Sequence, residues 1–182
     1  MAFRSLEPVE ITRDLVDDLA ATVALAPSCF NSQPWRFVFV YDPGVLKRMH
    51  EVLAKGNEWA RAASMIVVVF SRKEYDCLIR EREYYLFGMG MGTALLILRA
   101  TELGLVAHPI AGFKPTLVKE ILGIPEEMMV ITLVIVGRHA DSISPVLSES
   151  QVEAEKKRPE RKSLQEFVHH NLYRPEQEKA NK

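Results

Sequence analysis

The sequence predicts a single α/β-type layered domain in which strands alternate with helices. Two segments carry that expectation. Residues 65–70 form an unbroken, largely β-branched apolar run, the pattern of a strand covered on both faces. Residues from about 76 to 103 have a helical period. Their first part is charged (Arg80, Glu81, Arg82, Glu83) and their second is apolar all round, which marks a buried helix at the hub of a core. With 182 residues, the chain suits one domain.

Taken in order, Thr12 is placed to cap a helix over residues 13–25, with Leu15, Leu19 and Val23 on one stripe. Residues 35–40 read as a strand, punctuated by Asp42-Pro43-Gly44. A second helix over 45–54 ends near Gly56, and residues 57–62 connect it to the strand at 65–70. In the long helix, Gly88, Gly90 and Gly92 would each cost about 1 kcal/mol relative to alanine, so they imply close approach by another backbone or a planar group. After Gly104 the pattern returns to strand over 105–108 and 109–113. Pro115 opens a short helix that stops at Gly123, and residues 130–136 form a fourth strand. Beyond Gly137 the chain is polar and basic, including the cations among residues 156–162. The domain is expected to span residues 1–170, and residues 171–182 to form a charged, disordered tail.

Composition narrows the function classes. A formal net charge of −1 gives no general drive toward nucleic acid or an anionic membrane. The apolar uncharged run over residues 84–98 is shorter than the ~20 residues that span a bilayer, and residues 1–7 show no signal-peptide pattern. A cytoplasmic protein is the expectation. Two cysteines, Cys29 and Cys77, do not make a disulfide framework and fit a reducing compartment.

Motifs narrow it further. Gly88-Met89-Gly90-Met91-Gly92 lacks the spacing and preceding strand of a dinucleotide loop, and there is no phosphate-binding Gly-Lys-Ser/Thr. None of His50, His108, His139, His169 and His170 has the spacing of a zinc or iron site, so no metal is expected. Cys29 follows a helix C-terminus, the end that disfavours a thiolate, and reads as a small lining residue rather than a nucleophile. The basic run at 156–162 lacks interleaved aromatics and suits one phosphate monoester better than nucleic acid.

The most informative stretch is Ala26-Pro27-Ser28-Cys29-Phe30-Asn31-Ser32-Gln33-Pro34-Trp35. Two prolines fix the backbone on either side of four small hydrogen-bonding side chains, Ser28, Asn31, Ser32 and Gln33. Locally this is a capped helix-to-strand turn. In sequence it resembles the APS-x-x-N-x-QPW-x-F signature of the nitroreductase family of FMN-dependent oxidoreductases. Further segments agree in order: Arg4-Ser5 before Pro8-Val9; Ala100 to Gly104 followed by Pro109-Ile110-Ala111-Gly112-Phe113; Leu122-Gly123-Ile124-Pro125; Val136-Gly137; and Arg158-Pro159-Glu160-Arg161-Lys162.

The resemblance covers roughly residues 4–170. It implies an α+β, three-layer α/β/α fold, with a mixed central sheet around a long buried helix, in an intertwined homodimer. FMN would lie at the interface. Arg4, Arg161 and Lys162 would hold its phosphate. Ser28, Cys29 and Asn31 would line it from the partner subunit, with Pro27 shaping that loop, and Asn57 would bond the ring. Pro109, Ile110, Ala111 and Gly112 would pass against the other ring face. The implied chemistry is ping-pong hydride transfer from NADH or NADPH through FMN to a small oxidant such as a nitroaromatic, quinone or enone, with no protein residue as general acid. A flavin-binding protein without NAD(P)H turnover, serving sensing, storage or a partner protein, is the alternative.

Overall fold

A computed structural model describes residues 3–157 and 159–174; Arg158 and the tail beyond Arg174 lie outside the described residues. The chain runs β1 (Leu6–Glu7), α1 (Arg13–Val23), β2 (Arg36–Val40), α2 (Pro43–Met49), β3 (Met65–Ser71), β4 (Leu78–Ile79), β5 (Arg82–Glu83), α3 (Tyr84–Glu102), β6 (Val106–Ile110), α4 (Pro115–Leu122), β7 (Met129–His139) and α5 (Glu149–Lys156). Short 3-10 turns fill several of the connections.

The main sheet is centred on β3 and β7. β2 pairs with β3, β3 with β7, and β7 also pairs with β6 and β1. Period-2 alternation then sorts the side chains into two cores. On one face Met65, Val67, Val69, Val134 and Val136 pack against Leu19 and Val23 of α1 and Tyr85, Met89, Leu96 and Ala100 of α3. On the other, Ile66, Val68, Leu133 and Ile135 pack against Met49, Val52, Trp59 and Val118, from α2, the turns after it and α4. This is the expected three-layer α/β/α arrangement, and residues 65–69 are buried from both sides.

Three details correct the sequence reading. The described strand pairs are all antiparallel, where a mixed sheet was expected. The links 41–64 and 111–128 leave and re-enter the sheet at one end, because each joins antiparallel neighbours. A single return helix would have made those neighbours parallel.

The long helix starts at Tyr84 rather than near Asp76. Residues 78–83 form the β4–β5 hairpin, with Arg80 turning at φ 58°, and the Tyr84 N–H closes it on the Cys77 carbonyl at 3.2 Å.

α3 is buried on one side only. Gly88 and Gly92 are closely approached, but first by aliphatic side chains where a backbone or planar group was expected: an added Cβ would lie 3.0 Å from Pro34 Cγ and 3.1 Å from Val23 Cγ1, with the Trp35 ring next at 3.7 Å from Gly92. Gly90 has open space around it, and Leu86, Phe87 and Leu98 are exposed. A helix apolar all round thus has one unburied stripe in the isolated chain. Among the described residues no helix is long and apolar enough to cross a membrane.

Candidate functional site

The structure gathers the predicted residues into two separate walls. The first begins with α5, whose Ser148 and Gln151 form a reciprocal capping box. α5 buries Glu155, which accepts hydrogen bonds from the backbone N–H of Arg4 at 2.6 Å and of Ser5 at 3.2 Å. Gln151 Nε2 also donates to the Gly56 carbonyl at 2.7 Å. One short helix therefore ties down both the N-terminal segment and the turn that carries Asn57.

Asn57 Nδ2 donates to the Gly112 carbonyl at 2.9 Å. A Cβ at residue 112 would stand 2.6 Å from Asn57 Nδ2, so only glycine permits this contact. The bond leaves Asn57 Oδ1 open. Pro109 and Ile110 end β6; Ile110 is buried, while Pro109 and Ala111 face outward. The Arg4 guanidinium lies 6.0 Å from the Trp59 ring centroid and makes no ion pair among the described residues.

Behind this wall His108 is buried, its ring 4.7 Å from that of Trp59 and its Nδ1 3.0 Å from the Phe3 carbonyl. Burial lowers the His108 pKa, and the charge of Arg4 adds to that; the Phe3 hydrogen bond and Glu155 act in the opposite sense. The neutral ring donates Nδ1–H to Phe3, since a carbonyl can only accept.

The second wall is the loop between the prolines. Phe30, Asn31 and Gln33 all adopt positive φ (47°, 59° and 48°), a costly concentration of left-handed residues in a non-glycine segment. Local bonds hold it: Gln33 N–H donates to Ser28 Oγ at 3.0 Å and Ser32 Oγ to the Cys29 carbonyl at 2.6 Å. The buried Ser71 Oγ anchors its far end by donating to the Pro34 carbonyl at 2.6 Å. The Ser28 hydroxyl hydrogen and the Asn31 side chain have no partner among the described residues. Beside the loop lies a cavity of about 440 Å³ lined by Pro27, Ser28, Cys29, Asp76, Tyr84, Phe87, Gly88 and Met91.

The structure also joins Cys29 to Cys77 in a disulfide, with 6.2 Å between the Cα atoms. This corrects the expectation of two free thiols: 48 residues separate the pair in sequence, and only the fold brings them within reach. Cys29 still lines the cavity, as a bonded sulfur.

Arg4, Asn57, Pro109, Ile110, Ala111 and Gly112 thus share one wall, and Pro27, Ser28, Cys29 and Asn31 share the other. Among the described residues no hydrogen bond, ion pair or ring contact joins the two. Arg161 and Lys162 are exposed beyond α5 and make none with either. Sequence reading missed Glu155 and Gln151, although the Ser148-x-x-Gln151 spacing was a helix-start signal. It also missed the cavity's Tyr84, Phe87 and Met91, whose exposure depends on α3 having an uncovered side.

The chain is similar to several known proteins. A protein of Archaeoglobus fulgidus with the provisional name NADH dehydrogenase/NAD(P)H nitroreductase is 28% identical over 140 residues, covering 72% of this chain and 76% of its own. An NADH dehydrogenase of Thermus thermophilus is 26% identical over 168 residues, covering 74% of this chain and 80% of its own. A crystal structure described as an oxidoreductase containing FMN superposes with a TM-score of 0.82 at 26% identity, covering 96% of this chain and 89% of that one. The family model described as "Nitroreductase family" matches residues 2–138, a span that holds β1 through β6, all of β7 but its last residue, and the wall residues from Arg4 to Gly112, and the chain accordingly belongs to the nitroreductase family.

Proposed function

We propose that this protein is an FMN-dependent oxidoreductase that uses NADH or NADPH to reduce a small oxidant such as a nitroaromatic, quinone or enone, by a ping-pong route. The observation that supports it most is the pairing of unspent polar groups with a flat apolar cavity. Asn57 Oδ1, the Ser28 hydroxyl and the Asn31 carboxamide can each meet the edge of a heterocycle that both donates and accepts. The cavity rim of Tyr84, Phe87 and Met91 suits the face of a planar ring. Arg4, Arg161 and Lys162 carry positive charge with no ion pair among the described residues, as a phosphate site requires. The donor set therefore fits a phosphorylated flavin.

On this reading Arg4, Arg161 and Lys162 hold the phosphate, and Asn57 and Pro109 to Gly112 support one side of the ring. Pro27, Ser28, Cys29 and Asn31 close the other side from a second copy of the chain. The homodimer is part of the proposal: among the described residues no hydrogen bond, ion pair or ring contact joins the two walls, and the exposed stripe of α3 (Leu86, Phe87, Leu98) offers the surface for a second copy. Bound FMN would supply the hydride chemistry. The protein's part is to position it, to keep one apolar face open and to set hydrogen-bond donors along its edge.

The test is spectroscopic. Purified protein supplied with FMN should be yellow, release FMN on denaturation, and lose its flavin absorbance when mixed anaerobically with NADH or NADPH. A colourless protein that ignores FMN would overturn the reading. Retained FMN that neither nicotinamide bleaches would favour a flavin-binding role without turnover.

A further inference from the structure

We propose that Cys29 and Cys77 form a redox-active pair, a second two-electron centre in the wall of the flavin pocket; this rests on the flavin reading given above. The bridge joins the strained 28–33 loop to the segment just before the β4–β5 hairpin and α3. Both cysteines are half-buried, and Cys29 lines the cavity beside Pro27, Ser28, Phe87 and Met91. Cys29 thus borders the space proposed for the ring, and the bridge ties it to Cys77 just before β4. A partly exposed disulfide on a strained loop belongs with the reducible ones rather than with deeply buried staples.

The residue beside the bridge distinguishes it further. Asp76 Oδ1 accepts from the Cys77 N–H at 2.8 Å, while Asp76 Oδ2 is buried with no hydrogen-bond partner among the described residues. The Cys29 and Cys77 sulfurs and a carboxylate oxygen of Asp76 all lie within 4.8 Å of one another. An unpaired buried carboxylate oxygen is costly and does nothing for a static cross-link. In a disulfide that opens, it is placed to carry the proton that the departing sulfur needs.

The step balances as follows. The disulfide takes two electrons and two protons from the reduced flavin, which is oxidised in exchange. The S–S bond breaks, Cys29 and Cys77 each become a thiol, and the proton bound for Cys77 passes through the Asp76 carboxylate. The chain then stores one more electron pair than its flavin holds.

The experiment delivers electrons through the flavin alone, by anaerobic photoreduction of FMN-loaded protein with EDTA as the sacrificial donor. Free thiols are counted by maleimide labelling and mass spectrometry. Both cysteines should be blocked in the dark and both labelled after illumination, while illuminated protein stripped of FMN stays unlabelled. Asp76→Asn should slow thiol formation by about tenfold or more relative to the flavin bleaching followed in the same sample, and flatten its pH profile. A yellow protein whose bridge survives complete bleaching overturns this inference and leaves the flavin reading standing. Cysteines that already label in the dark overturn it as well. A protein that takes up no FMN overturns both.

Discussion

The wall that carries Arg4, Asn57 and Gly112 is knitted by hydrogen bonds between segments far apart in sequence. The wall that carries Pro27 to Asn31 is held by its own loop, a disulfide and the side of α3. In the first, Glu155, Gln151 and Asn57 each reach across 55 to 151 residues to a backbone group. In the second, three left-handed residues sit among bonds spanning no more than five positions, and the long-range ties are the Cys29–Cys77 link and the Ser71 hydroxyl on the Pro34 carbonyl. The first wall is thus built into the fold, whereas the second stands on an apolar surface that one chain leaves uncovered. Precise polar positioning and an adaptable apolar surface need different construction, and the proposed pairing of two copies would bring the two together.

A charge placed on the uncovered surface should separate the two walls most completely. Leu98 on α3 is 60% exposed in the single chain, so Leu98→Glu should leave the monomer folded. If the stripe is the seat of a second copy, a buried unpaired carboxylate there should weaken association by on the order of 2–4 kcal/mol. Light scattering should then report monomer, and FMN should be lost on desalting, because each pocket would lack its second wall. A variant that remained dimeric and yellow would place the partner elsewhere.

The contrast between the walls also explains what could be read beforehand. Strand β3 was legible because five consecutive buried residues, Met65 to Val69, leave a pattern that needs no context. Helix α4 was bracketed by Pro115 and by Gly123 in the left-handed conformation, which are local signals. Helix α5 was not seen: it buries little apolar surface, and its work is done by Glu155 and Gln151 on distant backbone. The Pro27 to Asn31 loop stood out by its motif, but its pairing with Cys77 depends on where the hairpin before α3 folds back. The start of α3 was placed too early because Arg80 to Glu83 are good helix formers, and hairpin pairing outweighed that propensity.

A second test probes the polar wall. Gly112→Ala would put a methyl group 2.6 Å from Asn57 Nδ2, so Asn57 must swing away and its 2.9 Å bond to the Gly112 carbonyl is lost. Unfolding stability should fall by about 1 kcal/mol, the net worth of one such bond, and FMN affinity by about tenfold as the carboxamide loses its place. Denaturant melts and FMN titration read the two effects separately. Unchanged FMN affinity alongside the stability loss would remove Asn57 from the site.

The smallest expected effect is a pH dependence behind the same wall. Burial lowers the pKa of His108, so folding favours the neutral ring, whereas the unfolded chain titrates near 6.5. The unfolded state therefore binds more protons between the two values, and stability rises with pH across that window. The contribution is fully present above about 6.5 and is lost as the pH falls toward and past the lowered folded value. His108→Gln keeps an N–H donor for the Phe3 carbonyl but cannot titrate. Melting temperatures of the two proteins should therefore converge as the pH is taken from about 7.5 to about 5. Because Phe3 is His108's partner and Arg4 follows it directly, FMN retention by the wild type should weaken over the same range more than in the variant. Parallel pH curves would mean that His108 protonates in the fold without cost, and that the Arg4 anchor rests on Glu155 alone.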